Sequence, residues 1–101
     1  MERNPNIGNM QDKLRLFRQI LDINIITFAD MIGVTRQTVY NIENRKTMLT
    51  KTQYLAICQI LRVLLEKNTE RYPIAKSVWE SGYDVSFESI FTEITPGEQV
   101  R

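Results

Sequence analysis

The segment that most constrains the fold is Thr27–Glu43, TFADMIGVTRQTVYNIE, because it combines two short helical patterns with one glycine between them. Phe28, Ala29 and Ile32 recur at the i, i+1, i+4 spacing of one helical face. Gly33 ends this pattern, and glycine readily adopts the positive φ that a sharp turn between helices often needs. The segment therefore predicts two helices folded tightly about Gly33.

The residues around this glycine predict where the two helices begin. Asn24 is the expected N-cap of the first helix, which ends just before the glycine. Thr35 is the expected N-cap of the second, which we place at about residues 36–44, with Val39 and Ile42 as its apolar contacts. Two helices joined in this way form a helix-turn-helix.

The second helix leaves hydrogen-bonding side chains exposed, and such side chains can read base edges in a major groove. Arg36 matches guanine O6 and N7, and Gln37 matches adenine N6 and N7. The simpler alternative is a solvated polar face without a partner. The predicted base contacts are Thr35, Arg36, Gln37, Thr38 and Asn41.

Three motifs in order along the chain resemble one known family. They are LRLFR at 14–18, ADMIGVTRQTVYNIEN at 29–44, and the basic residue Lys46. Together they resemble the small prokaryotic and phage repressors of the Cro/C1 (Xre) type, over about residues 14–61. The resemblance implies an all-α, lambda-repressor-like helix-turn-helix bundle that binds double-stranded DNA and regulates transcription, which we expect to be repression. It also implies a structural pair between Arg18 and Glu43.

Phosphate contacts are expected at the start of the first of these helices and after the second, where amides and cations favour anions. The candidates are Asn24, Tyr40, Asn44, Arg45, Lys46 and Lys51. The chain departs from the family at two of these places. Ile25–Ile26 stands where a phosphate-binding Gln commonly opens the helix, and Arg45 replaces the common glycine after IEN.

Composition argues against catalysis and against a metal site. Because the 101-residue chain has no histidine, zinc ligation and His-based proton transfer are poorly supported, and its one cysteine, Cys58, rules out an intramolecular disulfide. We expect Cys58 to be a small buried hydrophobe. No glycine-rich phosphate loop or nucleophile–base pattern is present. The expectation is a single non-enzymatic domain without cofactor or metal.

No apolar stretch is long enough to span a membrane, and the N-terminus does not resemble a signal peptide, so we expect a cytoplasmic protein. Charge is unevenly distributed. Residues 1–65 carry nine Lys and Arg against five Asp and Glu, whereas residues 66–101 carry four against seven. A basic N-terminal part fits phosphate binding, and the acidic remainder suggests another task.

The predicted organisation has four parts. Residues 1–10 are a flexible arm, 11–67 the DNA-binding domain, 68–95 a C-terminal extension and 96–101 a frayed tail. The domain begins with a helix over about Gln11–Asp22 and ends with one that extends to about Lys67. Thr50 and Gln53 predict a capping box for this last helix.

The extension is predicted to be helical. Pro73 is expected to open a short helix that ends at Gly82, and Ser86 to cap a further helix. The competing interpretation of residues 85–89 is a strand, but the adjacent pair Ile90–Phe91 breaks strict alternation.

The extension is also expected to form a homodimer contact. The helix that ends near Lys67 is apolar nearly all round, so it needs cover on more than one side. The expected surface consists of Ile60, Val63, Leu64, Trp79, Phe87, Ile90 and Phe91. One alternative is that the extension folds back over its own chain. Another is an antitoxin or adaptor whose extension binds a partner protein.

Overall fold

The computed structural model describes residues 5–82 and 85–94. Within them it contains helices and no strand, so the predicted all-α, lambda-repressor-like fold is confirmed. A short 3-10 turn, Thr69–Arg71, connects the fourth and fifth helices. The six α-helices are α1 (Pro5–Ile20), α2 (Ile25–Ile32), α3 (Arg36–Glu43), α4 (Lys51–Lys67), α5 (Tyr72–Glu80) and α6 (Ser89–Ile94).

The turn between α2 and α3 has the predicted glycine geometry. Gly33 has φ +78°, in the left-handed region. Its N–H donates to the Asp30 carbonyl at 3.2 Å, and the Val34 N–H donates to the Ala29 carbonyl at 3.0 Å. These two bonds form a Schellman motif, which satisfies the last carbonyls of α2 and reverses the chain into α3.

Side chains cap the starts of α2, α3 and α4 as predicted. Asn24 Oδ1 accepts from the Thr27 N–H at 2.8 Å. Thr35 Oγ1 accepts from the N–H of residue 38 at 3.2 Å. Thr50 and Gln53 form the reciprocal capping box, with distances of 3.0 and 3.1 Å. These local predictions are confirmed, and α4 ends at Lys67 as expected.

The flexible arm predicted over residues 1–10 is wrong for residues 5–10, because α1 begins at Pro5 rather than Gln11. Asn9 and Met10 are fully buried. Residues 1–4 lie outside the described residues. At its other end α1 stops at Ile20, and Asp22 has φ +59°.

Contacts with α5 explain why the early part of α1 is ordered. Asn9 Nδ2 donates to the Trp79 carbonyl at 2.8 Å. Lys13 Nζ donates to the Val78 carbonyl at 2.6 Å and also to the Ser81 carbonyl. The last carbonyls of α5 are thus satisfied from α1, by residues about 70 positions away in sequence. The local sequence pattern around residues 5–10 contains no signal of this contact.

Both predicted helices of the extension are present, with shifted boundaries. Pro73 is the second residue of α5, and α5 ends at Glu80, before Gly82. The last helix, α6, begins at Ser89, three residues after the predicted cap Ser86. The strand interpretation of residues 85–89 is wrong, because residues 85–88 form coil and turn and α6 begins at Ser89. The predicted tail over 96–101 lies outside the described residues.

The extension folds back onto its own chain, which corrects the predicted dimer surface. Trp79, Phe87 and Ile90 are fully buried in the single chain. The Phe17 ring of α1 lies 6.0 Å from the Trp79 ring and 6.2 Å from the Phe87 ring, measured between centroids. These aromatic residues complete the core of a small domain and so are not available to a second subunit.

A cluster of charged residues around Lys76 joins the turn before α6 to α5. Lys76 Nζ lies 2.8 Å from Glu80 Oε2 and 3.0 Å from both carboxylate oxygens of Glu88. Tyr72 donates its hydroxyl to Glu88 at 2.9 Å, and the Phe87 N–H donates to Glu80 at 2.9 Å. The lysine lowers the pKa of both carboxyl groups below the usual range, assisted by Tyr72 at Glu88 and by Phe87 at Glu80.

Candidate nucleic-acid interface

The exposed face of α3 follows from how the helix is anchored. Val39 and Ile42 are fully buried in the core. Arg36, Gln37 and Tyr40 are consequently exposed on other sides of the helix. A helix anchored along one side in this way can present its polar side chains to a groove without deforming.

Gln37 and Asn41 are joined on successive turns of α3. Gln37 Nε2 donates to Asn41 Oδ1 at 3.0 Å. Each amide retains hydrogen-bonding groups outside this contact, namely the Gln37 Oε1 acceptor and the Asn41 Nδ2 donor. The two side chains thus restrict one another's rotamers and offer an acceptor and a donor on one helical face.

The threonines predicted to contact bases lie at the start of α3. Thr35 Oγ1 caps the helix and lies 3.0 Å from Thr38 Oγ1. Thr35 is exposed and Thr38 half-buried. Their hydroxyls are therefore occupied in ordering the first turn, beside Arg36.

The predicted phosphate-contacting residues form two groups, one at each end of the α2–α3 unit. Asn24 is exposed at the N-terminus of α2, where free main-chain amides favour anions. After α3, Asn44 Nδ2 donates to the Tyr40 carbonyl at 2.8 Å and ends the helix. Lys46 Nζ lies 5.4 Å from the centre of the Tyr40 ring, within cation–π range. Lys51 is exposed at the first position of α4.

Arg18 and Glu43 are brought together between α1 and α3. Arg18 Nε lies 2.6 Å from Glu43 Oε2, and Arg18 Nη2 lies 3.0 Å from Glu43 Oε1. Only 2% of the Glu43 side chain is exposed. A third donor, Arg18 Nη1, reaches the Ile23 carbonyl at 3.1 Å, so this guanidinium fixes α1, the turn before α2 and the end of α3.

A buried glutamine that the sequence did not single out supports the chain after α3. Gln11 Nε2 donates to the carbonyls of Ile42 and Thr47 at 2.9 and 2.7 Å. Its Oε1 accepts from the Leu49 N–H at 3.1 Å. Gln11 thereby satisfies three main-chain groups of the α3–α4 connection. Its polarity and its place at the expected helix start gave no signal of this role.

Two further residues of α1 reach the end of α3. Arg15 Nε lies 3.6 Å from Glu43 Oε1. Asp12 Oδ1 lies 2.6 Å from Arg45 Nη2. Arg45 keeps the positive φ expected of the glycine it replaces, at +61°. The basic edge after α3 therefore contains Arg15 as well as the predicted Arg45 and Lys46.

The described residues hold no cluster of side chains suited to a metal ion. None of the helices in the described part of the chain is long and apolar enough to cross a membrane.

Comparison with known proteins identifies the family. The sequence profile of the Helix-turn-helix family matches residues 14–68, which is more than half of the 101-residue chain and includes α2, α3 and α4 entirely. No curated protein and no solved structure matches the chain significantly. The chain belongs to the Cro/C1-type (Xre) helix-turn-helix family, which consists of DNA-binding regulators.

Proposed function

We propose that this protein is a sequence-specific regulator of transcription that places α3 in the major groove and represses by occupying an operator. The observation that carries the proposal is the orientation of α3. The side of α3 that carries Val39 and Ile42 is buried, while Arg36, Gln37 and Asn41 lie on its accessible sides. Helices of this kind expose the side chains that discriminate base pairs.

Specificity is assigned to the first two turns of α3. Arg36 suits guanine, and Gln37 suits adenine through a bidentate contact that Asn41 steadies. Thr35 and Thr38 order the first turn of α3, and each hydroxyl keeps one further hydrogen-bonding group that we assign to bases at this end of the helix.

Affinity that does not depend on sequence is assigned to the two ends of the α2–α3 unit. The α2 N-terminus with Asn24 binds phosphates of one DNA backbone segment, and the exposed edge after α3 binds phosphates of another. That edge consists of Tyr40, Asn44, Arg45 and Lys46, followed by Lys51 and with Arg15 beside it. Arg18, Glu43 and Gln11 hold these ends at a fixed separation.

The regulator is proposed to act as a homodimer, because one helix-turn-helix reads few bases and two half-sites multiply the discrimination. With Trp79, Phe87 and Ile90 buried, we assign the dimer contact to the outer edge of α4. This edge carries the exposed Val63 and borders an open groove of about 470 Å³. The groove is lined by Arg62, Leu65, Glu66, Thr69, Tyr72 and Phe91.

Selection of bound duplexes from a random pool tests the proposal. The full chain should enrich a sequence with two half-sites about 34 Å apart, which is one helical turn. Enrichment of no sequence would contradict sequence-specific regulation. Enrichment only after a neighbouring gene's product is added would favour the antitoxin or adaptor alternative, in which a partner completes the binding unit.

A further inference from the structure

The ion pair between Asp12 and Arg45 lies on the edge of the protein that the proposed function assigns to phosphate. It joins α1 to the turn after α3, with 2.6 Å between Asp12 Oδ1 and Arg45 Nη2. The Arg45 side chain is 67% exposed and the Asp12 side chain 30%. Neither side chain is part of the core, so the pair is available to solvent and to a ligand.

The main chain fixes the base of the Arg45 side chain. The Arg45 N–H donates to the Ile42 carbonyl at 3.1 Å, and the Lys46 N–H donates to the Asn41 carbonyl at 2.8 Å. With these bonds and a φ of +61°, the turn is defined by the end of α3. What can change when DNA binds is the side chain of Arg45, which can turn from the carboxylate towards a phosphate.

A carboxylate and a phosphate compete for the same guanidinium. Both accept the two parallel N–H groups of an arginine fork, and one fork cannot pair fully with both. A carboxylate that remains nearby also repels the phosphate. An arginine already paired internally therefore contributes less to phosphate binding than an unpaired one.

We infer that Asp12 is an internal phosphate mimic: it holds Arg45 in the DNA-free protein and weakens binding to all DNA sequences alike. The inference rests on the proposed DNA-binding function. Because the competition concerns only a backbone contact, it lowers the sequence-independent part of the affinity. Base contacts from α3 then account for a larger share of the total.

Glu43 shows why the inference concerns Asp12 alone among the acids of this edge. Glu43 also faces arginines, at 2.6 Å from Arg18 and 3.6 Å from Arg15. Its side chain is 2% exposed and accepts two bonds from Arg18, so it serves the packing of α1 against α3. A phosphate cannot displace a carboxylate that DNA cannot reach.

The test is Asp12→Asn in the full chain, with dissociation constants measured on a random-sequence duplex over a salt series. The variant keeps the side-chain shape and removes the charge. We expect binding at low salt to tighten about threefold to tenfold, the size of one modest surface charge interaction. The plot of log K against log salt should steepen by about 0.9, the increment for one additional phosphate contact.

Glu70→Gln is the matched control. Glu70 also pairs with an arginine, Arg71, at 3.8 Å, and the substitution changes the net charge by the same amount. Glu70 lies in the 3-10 turn Thr69–Arg71, beyond the far end of α4, which is about 24 Å along the helix from its first residue. We expect little change in affinity or salt dependence from this variant.

Arg45→Ala separates the specific effect from a general gain of positive charge. In that background, Asp12→Asn should tighten binding no more than Glu70→Gln does. Equal tightening with and without Arg45 would overturn the inference, as would an Asp12→Asn variant that binds like the wild type while Lys46→Ala weakens binding. In both cases the proposed function would stand.

A wild-type protein that binds no duplex would contradict the proposed function and this inference with it. Asp12→Ser serves as a second neutral variant if the first is less stable.

Discussion

Arg18 on α1 binds Glu43, the last residue of α3, through two parallel hydrogen bonds of 2.6 and 3.0 Å. The glutamate is almost completely enclosed, so removing either partner leaves a charge poorly compensated. This pair determines how α3 sits on the rest of the domain.

Each single substitution, Arg18→Ala or Glu43→Ala, should lower the free energy of unfolding by about 3–5 kcal/mol. The double variant should lose less than the sum of the two, because no buried charge then remains without a partner. Urea denaturation of the four proteins in the cycle measures the coupling. Strictly additive losses would show that the pair contributes no coupling energy.

Gln11→Ala should destabilise the chain by about 1–3 kcal/mol, because it leaves the buried Leu49 N–H and the Ile42 carbonyl without their side-chain partner. Gln19→Ala is the matched control, since Gln19 is an exposed glutamine on the same helix. Thermal melting followed by circular dichroism compares them. A Gln11 variant as stable as the Gln19 variant would contradict the structural role of Gln11.

The contrast between these two glutamines shows what the sequence could and could not provide. The turn at Gly33 and the caps at Asn24, Thr35 and Thr50 depend on neighbouring residues, so local patterns predicted them correctly. Gln11 acts through carbonyls more than 30 positions away, to which no local pattern refers.

Long-range packing also explains the two main errors. Residues 5–10 are helical because they pack on α5, where Asn9 donates a hydrogen bond to the Trp79 carbonyl. Trp79 and Phe87 of the extension are buried because they pack against Phe17 of α1. The polar, glycine-containing sequence of residues 5–10 and the apolar sequence of the extension do not indicate which distant residues they contact. The Asp12–Arg45 contact was missed for the same reason, since it spans 33 positions.

The Lys76 cluster should make the packing of α6 sensitive to acid. The pKa values of Glu80 and Glu88 lie below their usual 4.5, chiefly because Lys76 donates hydrogen bonds to them. A depressed folded-state pKa contributes stability that is present above pH 4.5 and is lost as the pH falls through the folded value. The raised pKa of Lys76 contributes stability that is present below 10.5 and lost at higher pH.

Acid titration of Glu88→Gln measures this contribution through the fluorescence of Trp79, which packs 5.9 Å from the Phe87 ring. The variant should be less stable at neutral pH and should lose less stability than the wild type as the pH falls below 4.5. Glu70→Gln is the control, because Glu70 is exposed and outside the cluster. Identical acid profiles for the wild type and Glu88→Gln would show that the Lys76 cluster does not contribute to stability in this pH range.

The proposed dimer predicts a specific effect at Val63. Val63→Glu should convert the dimer into a folded monomer, because it places a charge at the exposed apolar residue of the outer α4 edge. Ile74→Glu alters an apolar residue on α5 that is 54% exposed, compared with 41% for Val63, and should leave the dimer intact. Light scattering combined with circular dichroism distinguishes these outcomes. A monomeric wild type, or a dimeric Val63→Glu, would exclude this surface.

Base reading by α3 is tested most sharply at Gln37. Gln37→Ala should cost about 1–3 kcal/mol on a selected duplex and much less on a scrambled one, because only the former presents the base edge that Gln37 pairs with. Lys46→Ala should weaken binding to both duplexes about equally, since a phosphate contact carries no sequence information.

The most direct test is therefore the ratio of the dissociation constants for the scrambled and selected duplexes, measured at one salt concentration for the wild type and Gln37→Ala. If α3 reads sequence, the wild type should bind the selected duplex at least about 1,000-fold more tightly than the scrambled one, as sequence-specific proteins do. The ratio for Gln37→Ala should be at least about fivefold lower. Equal ratios for the two proteins, or a wild-type ratio near one, would contradict the assignment of α3 as the element that reads DNA sequence.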